Sequence, residues 1–298
     1  MKNYILLLLG ILLFADTQSQ SFEKIFVNPE WLHSQFSNDS IIILHLDRPE
    51  NYQKGHIPGA LYIDNSVYTV VRDGLYFEMP DPLDFAEQLR IRGFDENKLL
   101  IISSGWDTFA HAFRFYVTLE YFGLSDQSRI LNGGIRGWQD HGFQISRDTV
   151  IAYPNKKAVI LMENSNILVD KEWLKLNLLN PSVCVIDARR QIFYTGQEKG
   201  NYQRSGHLKG AKNLTWNILV DENFYLLEPD TLRQKFKKII IDADQILVLY
   251  CHVGLRASVL YTIGKALGYN VRLYDGSYNE WDGLDPSYPV ETNDKFRK

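Results

Sequence analysis

The sequence predicts an α/β protein of two tandem domains, each a mainly parallel sheet flanked by helices. Three observations predict it. Short apolar runs alternate with helical patterns, the signature of parallel strands joined by crossover helices. The same landmarks then recur once, with a period of about 143 residues. A chain of 298 residues, 45% of them hydrophobic, is long enough to bury two such cores.

The first twenty residues stand apart. Met1-Lys2-Asn3 is a short basic start, Ile5 to Phe14 an apolar core and Ala15 to Gln20 a small, polar end, the three parts of a secretory signal peptide over residues 1–20. The apolar core is about half the length of a membrane span, and no cysteine follows it for acylation. Cleavage is expected between Asp16 and Phe22, leaving a periplasmic or secreted protein without stable membrane insertion.

A first domain is expected over residues 22–146. Phe26-Val27-Asn28-Pro29-Glu30-Trp31-Leu32 reads as an Asn-capped helix start before the buried strand Ile41 to Leu46, which ends at Asp47. Gly55-His56-Ile57-Pro58-Gly59-Ala60 is a turn. The strand Leu99 to Ser104 leads into a helix that stops near Gly123, and Leu131-Asn132-Gly133-Gly134 is a strand-to-helix turn with Trp138 packed behind it. A linker over 147–166 contains Pro154-Asn155-Lys156-Lys157.

The second domain, residues 167–298, repeats this order. Asp170 caps a helix before the strand Val183-Cys184-Val185-Ile186-Asp187. Tyr202 to Ala211 answers Tyr52 to Ala60 with one residue inserted, and Tyr274-Asp275-Gly276-Ser277 with Trp281 answers the Gly133-Gly134 turn. His56 and His207 are either turn residues or general bases. The turn role is favoured, because a matching histidine occurs in the half without a nucleophile.

The copies differ where chemistry is concentrated. In the second, the apolar strand Gln245 to Tyr250 ends at Cys251-His252-Val253-Gly254-Leu255-Arg256, and a helical pattern runs from Ser258 to Gly268. Free amides at a helix start, the helix dipole and Arg256 would all favour a thiolate at Cys251, the nucleophilic form of cysteine. Against Tyr250 to Arg256 the first copy reads Ser104-Gly105-Trp106-Asp107-Thr108-Phe109-Ala110, setting Gly105 at the place of Cys251, and has no cysteine, so it is expected to be inactive and to wall the cleft of its neighbour. Cys184, inside a β-type run, reads as core; a disulfide between the two cysteines would remove the nucleophile.

Gly55 to Ala60, Leu131 to Gly134 with Trp138, Asp187-Ala188-Arg189, Gly206-His207 with Gly210-Ala211, the Cys251 loop, and Tyr274 to Ser277 with Glu280-Trp281 follow one another in order and spacing. Together they resemble the tandem-domain rhodaneses, the family of thiosulfate and 3-mercaptopyruvate sulfurtransferases, over the whole mature chain. The resemblance implies that Cys251 accepts a sulfane sulfur as a persulfide and passes it to cyanide or a thiol, with no metal or organic cofactor. It implies a substrate cradle of His252, Val253, Gly254, Leu255 and Arg256; Arg189, Arg190, Lys199 or Arg204 is available as a further carboxylate contact, with Arg189 equally placed to pair with an acidic residue of the fold.

The loop also departs from that family. His252 and Val253 stand at the donor-selecting positions, and Arg256 where tandem enzymes usually carry Thr. Phe193 and Tyr194 occupy positions where mercaptopyruvate enzymes place Arg then Phe, and Gly196 to Tyr202 lacks their second arginine. Thiosulfate, a dianion that Arg256 could meet, is therefore the expected donor, ahead of 3-mercaptopyruvate. A Cys-x5-Arg phosphatase and a non-catalytic sulfur- or partner-binding module are the competing classes. The spacing here is Cys-x4-Arg. A net charge of −4 without a basic stripe excludes a general nucleic-acid binder.

Overall fold

The computed structural model describes residues 22–293; the expected signal peptide lies outside the described residues. The first domain runs β1 (Phe26–Val27), α1 (Pro29–Ser34), β2 (Ile41–Leu46), α2 (Pro49–Lys54), β3 (Leu61–Ile63), β4 (Val70–Arg72), β5 (Leu75–Glu78), α3 (Pro82–Ile91), β6 (Leu99–Ser104), α4 (Phe109–Tyr121), β7 (Ser128–Leu131) and α5 (Gly134–Asp140). The second runs β8 (Leu168–Val169), α6 (Lys171–Asn177), β9 (Val183–Asp187), α7 (Gln191–Tyr194), β10 (His207–Leu208), β11 (Lys212–Asn213), α8 (Pro229–Lys237), β12 (Ile246–Tyr250), α9 (Ala257–Ala266), β13 (Val271–Tyr274), α10 (Ser277–Asp282) and β14 (Val290–Glu291).

Each domain has a five-stranded parallel sheet, ordered β1-β7-β6-β2-β3 in the first and β8-β13-β12-β9-β11 in the second. One strand order used twice is the predicted duplication in three dimensions. The central strands are mainly apolar because helices cover both faces: Leu44, Ile102, Leu247, Val248 and Leu249 are all fully buried. The expected helix caps form alike, Asn28 Oδ1 accepting from Trp31 N and Asp170 Oδ1 from Trp173 N, each at 2.7 Å. Trp138 and Trp281 are buried as core anchors.

The strand register corrects part of the sequence alignment. Asp187 lies opposite Tyr250, and the same place in the first domain, opposite Ser103, is held by His45 rather than Asp47. Cys251 therefore corresponds to Ser104, one step past that pair. Asp47 corresponds to Arg189, so the buried pair Asp187 with Arg189 is answered by His45 with Asp47, acid and base exchanged.

The domains meet along α4 and α9. Phe113 and Val117 of α4 and Val259, Leu260 and Ile263 of α9 belong to one continuous apolar cluster spanning both domains. Within that seam Glu120 Oε1 accepts from Lys265 Nζ at 2.7 Å and from Tyr261 Oη at 3.0 Å. Among the described residues, no helix is long and apolar enough to cross a membrane.

Candidate active site

Cys251 is the first residue after β12, and α9 begins at Ala257, so residues 251–256 form the loop between a strand end and a helix start. Cys251 is 1% exposed at its floor. His252, Val253 and Leu255 are half-buried around it, and Arg256 is exposed at the rim. Both cysteines are free, and burial pushes the Cys184 thiol up, as suits a core residue. Gly254 turns the loop with φ +80°, and a Cβ there would lie 2.7 Å from Asp275 Oδ1. Only glycine allows both the turn and the close approach.

Two of the loop amides are bonded within the fold. The N–H groups of Cys251 and Gly254 donate to Ser277 Oγ at 3.2 and 2.9 Å, and Ser277 Oγ donates to Tyr274 O at 3.0 Å. Ser277 does this from a left-handed backbone, φ +53°, which costs a non-glycine residue on the order of 1–3 kcal/mol. Its first-domain counterpart is Gly134, also at positive φ. The amides of His252, Val253, Leu255 and Arg256 have no acceptor among the described residues. These four are the donors left for an anion.

An aromatic wall covers one side of the loop. His252 Nδ1 is 3.1 Å from Tyr202 Oη, the two rings are parallel at 5.5 Å, and Phe193 meets His252 edge-on at 4.8 Å. Burial, with the nearby charges of Arg189 and Arg256, lowers the His252 pKa to about 4, so its ring is neutral at pH 7. Burial pushes Tyr202 up to about 12.

Tyr202 was aligned with Tyr52 by sequence, but the structural counterpart of Tyr52 is Tyr194. Tyr52 Oη donates to Ala60 O and Tyr194 Oη to Ala211 O; Tyr52 stacks on His56 at 4.0 Å and Tyr194 on His207 at 3.8 Å. The tyrosine precedes its histidine by 4 residues in the first domain and by 13 in the second. That longer segment carries Tyr202 to the cysteine loop. Asp282 pins it, accepting from Gln203 N and Arg204 N at 2.7 Å each. Both histidines hold tyrosine carbonyls in the turns, through His56 Nδ1 and His207 Nδ1, the role favoured from sequence.

Arg189 is committed to the fold. Its Nε and Nη2 donate to the Asp187 carboxylate, Nη2 also donates to Gly206 O at 2.6 Å, and the guanidinium lies 3.9 Å over the Tyr278 ring. Tyr250 Oη donates to Asp187 Oδ2 at 2.7 Å. Tyr278 N donates to Cys251 O at 3.0 Å, so this buried pair supports the strand end that carries the cysteine. Sequence reasoning named Arg189 but missed Ser277, Tyr202 and Tyr278 as parts of the site. The inserted length before His207 was the available signal for Tyr202.

The first domain also reaches the site. Its β4–β5 hairpin lies against the start of α10, with Gly74 O accepting from Asn279 Nδ2 at 3.4 Å. Glu78, at the hairpin end, is pushed up to about 7 by burial and by Asp275 and Glu280, against the pull of Arg114 and Arg72; its Oε1 is buried without a partner. Its folded pKa lies above the ordinary 4.5, so the folded state holds the proton more tightly than the unfolded chain. The stability this gives is complete below pH 4.5 and is lost as pH rises through 7. Glu78→Gln is therefore expected to raise the melting temperature at pH 8 by roughly 2–4 °C and to leave it unchanged at pH 4.5. Equal shifts at both pH values in thermal melts would refute this.

Among the described residues, no cluster of three or more His, Cys, Asp or Glu side chains could hold a metal ion. The arrangement is one buried thiol at the start of a loop in which four amides lack acceptors among the described residues, with a neutral aromatic wall on the loop's His252 side.

Known proteins share this frame. The Rhodanese-like domain model matches residues 28–141 and 170–284. The 3-mercaptopyruvate sulfurtransferase of Escherichia coli is 30% identical over 286 residues, covering 89% of this chain and 97% of that protein. The thiosulfate sulfurtransferase of Azotobacter vinelandii is 27% identical over 270 residues, covering 89% and 96%. Among solved structures, YnjE superposes with a TM-score of 0.80 at 22% identity, covering 94% of this chain and 71% of that one. The anaerobic ergothioneine biosynthesis enzyme from Chlorobium limicola also reaches 0.80, at 23% identity, covering 90% and 70%. At these identities the structures speak to fold alone. With two matched domains, one strand order used twice and sulfurtransferase homologues along nearly its full length, this chain belongs to the rhodanese family.

Proposed function

We propose that this chain is an exported thiosulfate sulfurtransferase working through a Cys251 persulfide. The observation that carries the reading is buried Cys251 opening a loop with four amides that lack acceptors among the described residues, with the cationic Arg256 at the rim and Phe193 where a carboxylate anchor would stand. The Cys251 thiolate attacks the outer sulfur of thiosulfate; the S–S bond breaks and sulfite leaves with its electron pair. The outer sulfur of the resulting persulfide anion rests on the amides of His252, Val253, Leu255 and Arg256. Cyanide or a thiolate then attacks that sulfur, forming thiocyanate or a new persulfide and regenerating the Cys251 thiolate.

The loop residues divide the work. Gly254 gives the turn, Val253 and Leu255 line the mouth, and Arg256 meets the donor's charge. His252, neutral and backed by Tyr202, adds no charge to the wall. Arg189 contributes a nearby positive charge while its hydrogen bonds serve Asp187 and Gly206. A three-carbon mercapto acid lacks a clear carboxylate clamp here: Arg190 is exposed and stacks near Phe193, and Arg204 is engaged by Tyr288 O and Trp281 O. The Escherichia coli relative keeps 3-mercaptopyruvate as the second donor reading. Export rests on the residue pattern of positions 1–20.

The test is intact-mass analysis of protein recovered from its producing cells and offered each donor in turn. The expected results are a chain beginning between residues 16 and 22 and a one-sulfur adduct from thiosulfate that cyanide discharges as thiocyanate. An adduct from mercaptopyruvate alone would transfer the assignment to the second donor. No adduct from either would end the sulfur-transfer reading.

A further inference from the structure

We propose that Arg114, on α4 of the domain without a cysteine, is a positioning residue of the Cys251 loop, holding and neutralising the Asp275 carboxylate against which that loop is folded. Arg114 is fully buried. Its Nη1 donates to Asp275 Oδ1, its Nη2 to Asp275 Oδ2 at 3.0 Å and to Phe77 O, and Met79 Sδ lies 3.7 Å from Nη2. One side chain thus ties three segments together: α4, the end of the β4–β5 hairpin, and the turn after β13.

The pair touches the cysteine loop at its tightest point. A Cβ on Gly254 would lie 2.7 Å from Asp275 Oδ1 and 3.2 Å from Arg114 Nη1, so guanidinium and carboxylate are packed on the backbone of the residue that turns the loop. Two residues beyond Asp275, Ser277 Oγ takes the amides of Cys251 and Gly254. Position and charge both follow from this. A two-point guanidinium–carboxylate contact fixes the Asp275 turn in angle as well as distance. Without Arg114, a buried carboxylate would stand uncompensated beside a loop that must hold a thiolate and then a persulfide anion, and like charges in a poorly solvated site oppose each other strongly.

A role as domain glue alone makes a different forecast, because the seam has a second cross-domain ion pair, Lys265 with Glu120, with no bond to the loop. The proposal rests on Cys251 being the reacting thiol. Its readout is therefore alkylation of Cys251 by iodoacetamide across pH, which reports on that thiol whether or not thiosulfate is the donor. In Arg114→Met the alkylation rate at pH 7 is expected to fall about tenfold, the rate-against-pH curve moving up by about one unit, and kcat/KM for sulfur transfer to fall at least as far. Adding Asp275→Asn removes the orphaned charge and should return alkylation to within about threefold of wild type. Lys265→Met should leave the curve in place.

If Arg114→Met does not fold, Arg114→Gln with Asp275→Asn, an uncharged hydrogen-bonded pair, takes its place and should alkylate within about threefold of wild type. Several results would overturn the proposal: an unmoved curve in Arg114→Met, no recovery on adding Asp275→Asn, a loss in Lys265→Met equal to that in Arg114→Met, or a shifted curve in the uncharged double variant. Failure of thiosulfate to label Cys251 would overturn the functional reading instead and leave this test intact.

Discussion

Cys251→Ser will lower sulfur transfer by at least about 10⁴-fold, the scale on which removing a covalent nucleophile acts elsewhere, while the protein stays folded. A serine oxygen cannot accept and release a sulfane sulfur under mild conditions, and the other cysteine, Cys184, is buried inside β9. The substitution is nearly isosteric, and the new hydroxyl belongs to a loop in which four amides lack acceptors among the described residues. The stability cost should therefore stay within about 1–2 kcal/mol. Thiocyanate production and a thermal melt of the same sample check both halves. Residual turnover above about a hundredth of wild type would show that Cys251 is not the sulfur carrier.

Asp187→Asn should be the most destabilising single change near the site, costing about 3–5 kcal/mol, because it leaves the Arg189 guanidinium buried without its counter-charge. The Asp187 and Arg189 side chains are 0% and 1% exposed. Tyr250 Oη also loses its charged acceptor. Arg189 cannot escape to solvent, since Gly206 O and the Tyr278 ring hold it from the other side. Asp187→Asn with Arg189→Met removes both charges and is expected to recover most of the loss. Urea unfolding of the wild type and these two variants measures this. A midpoint shift in Asp187→Asn worth less than about 1 kcal/mol would show that the pair is not a structural support.

The sequence was most legible where local chemistry dictates geometry. Capping residues Asn28 and Asp170, the apolar runs of β2, β9 and β12, and the anchors Trp138 and Trp281 each declare their place through short-range rules. It misled where alignment depended on insertions. Asp47 resembles Asp187 in a string of letters, yet the strand pairing sets it opposite to Arg189 in role. Tyr202 resembles Tyr52 because each lies shortly before Gly-His, yet hydrogen bonding gives Tyr52's place to Tyr194.

By itself, then, the sequence determined two parallel α/β domains, which of them carries a thiol, and the strand-to-helix loop in which that thiol sits. These follow from periodicity, turn residues and a single cysteine after a buried strand, all local along the chain. Only the tertiary structure decided which loop amides are left without acceptors, which aromatic rings pack on His252, and that the cysteine-free domain places Arg114 against the loop's support. The reason is distance along the chain: Arg114 and Asp275 are 161 residues apart. A contact of that span is set by the packing of α4 on α9, which no local pattern specifies.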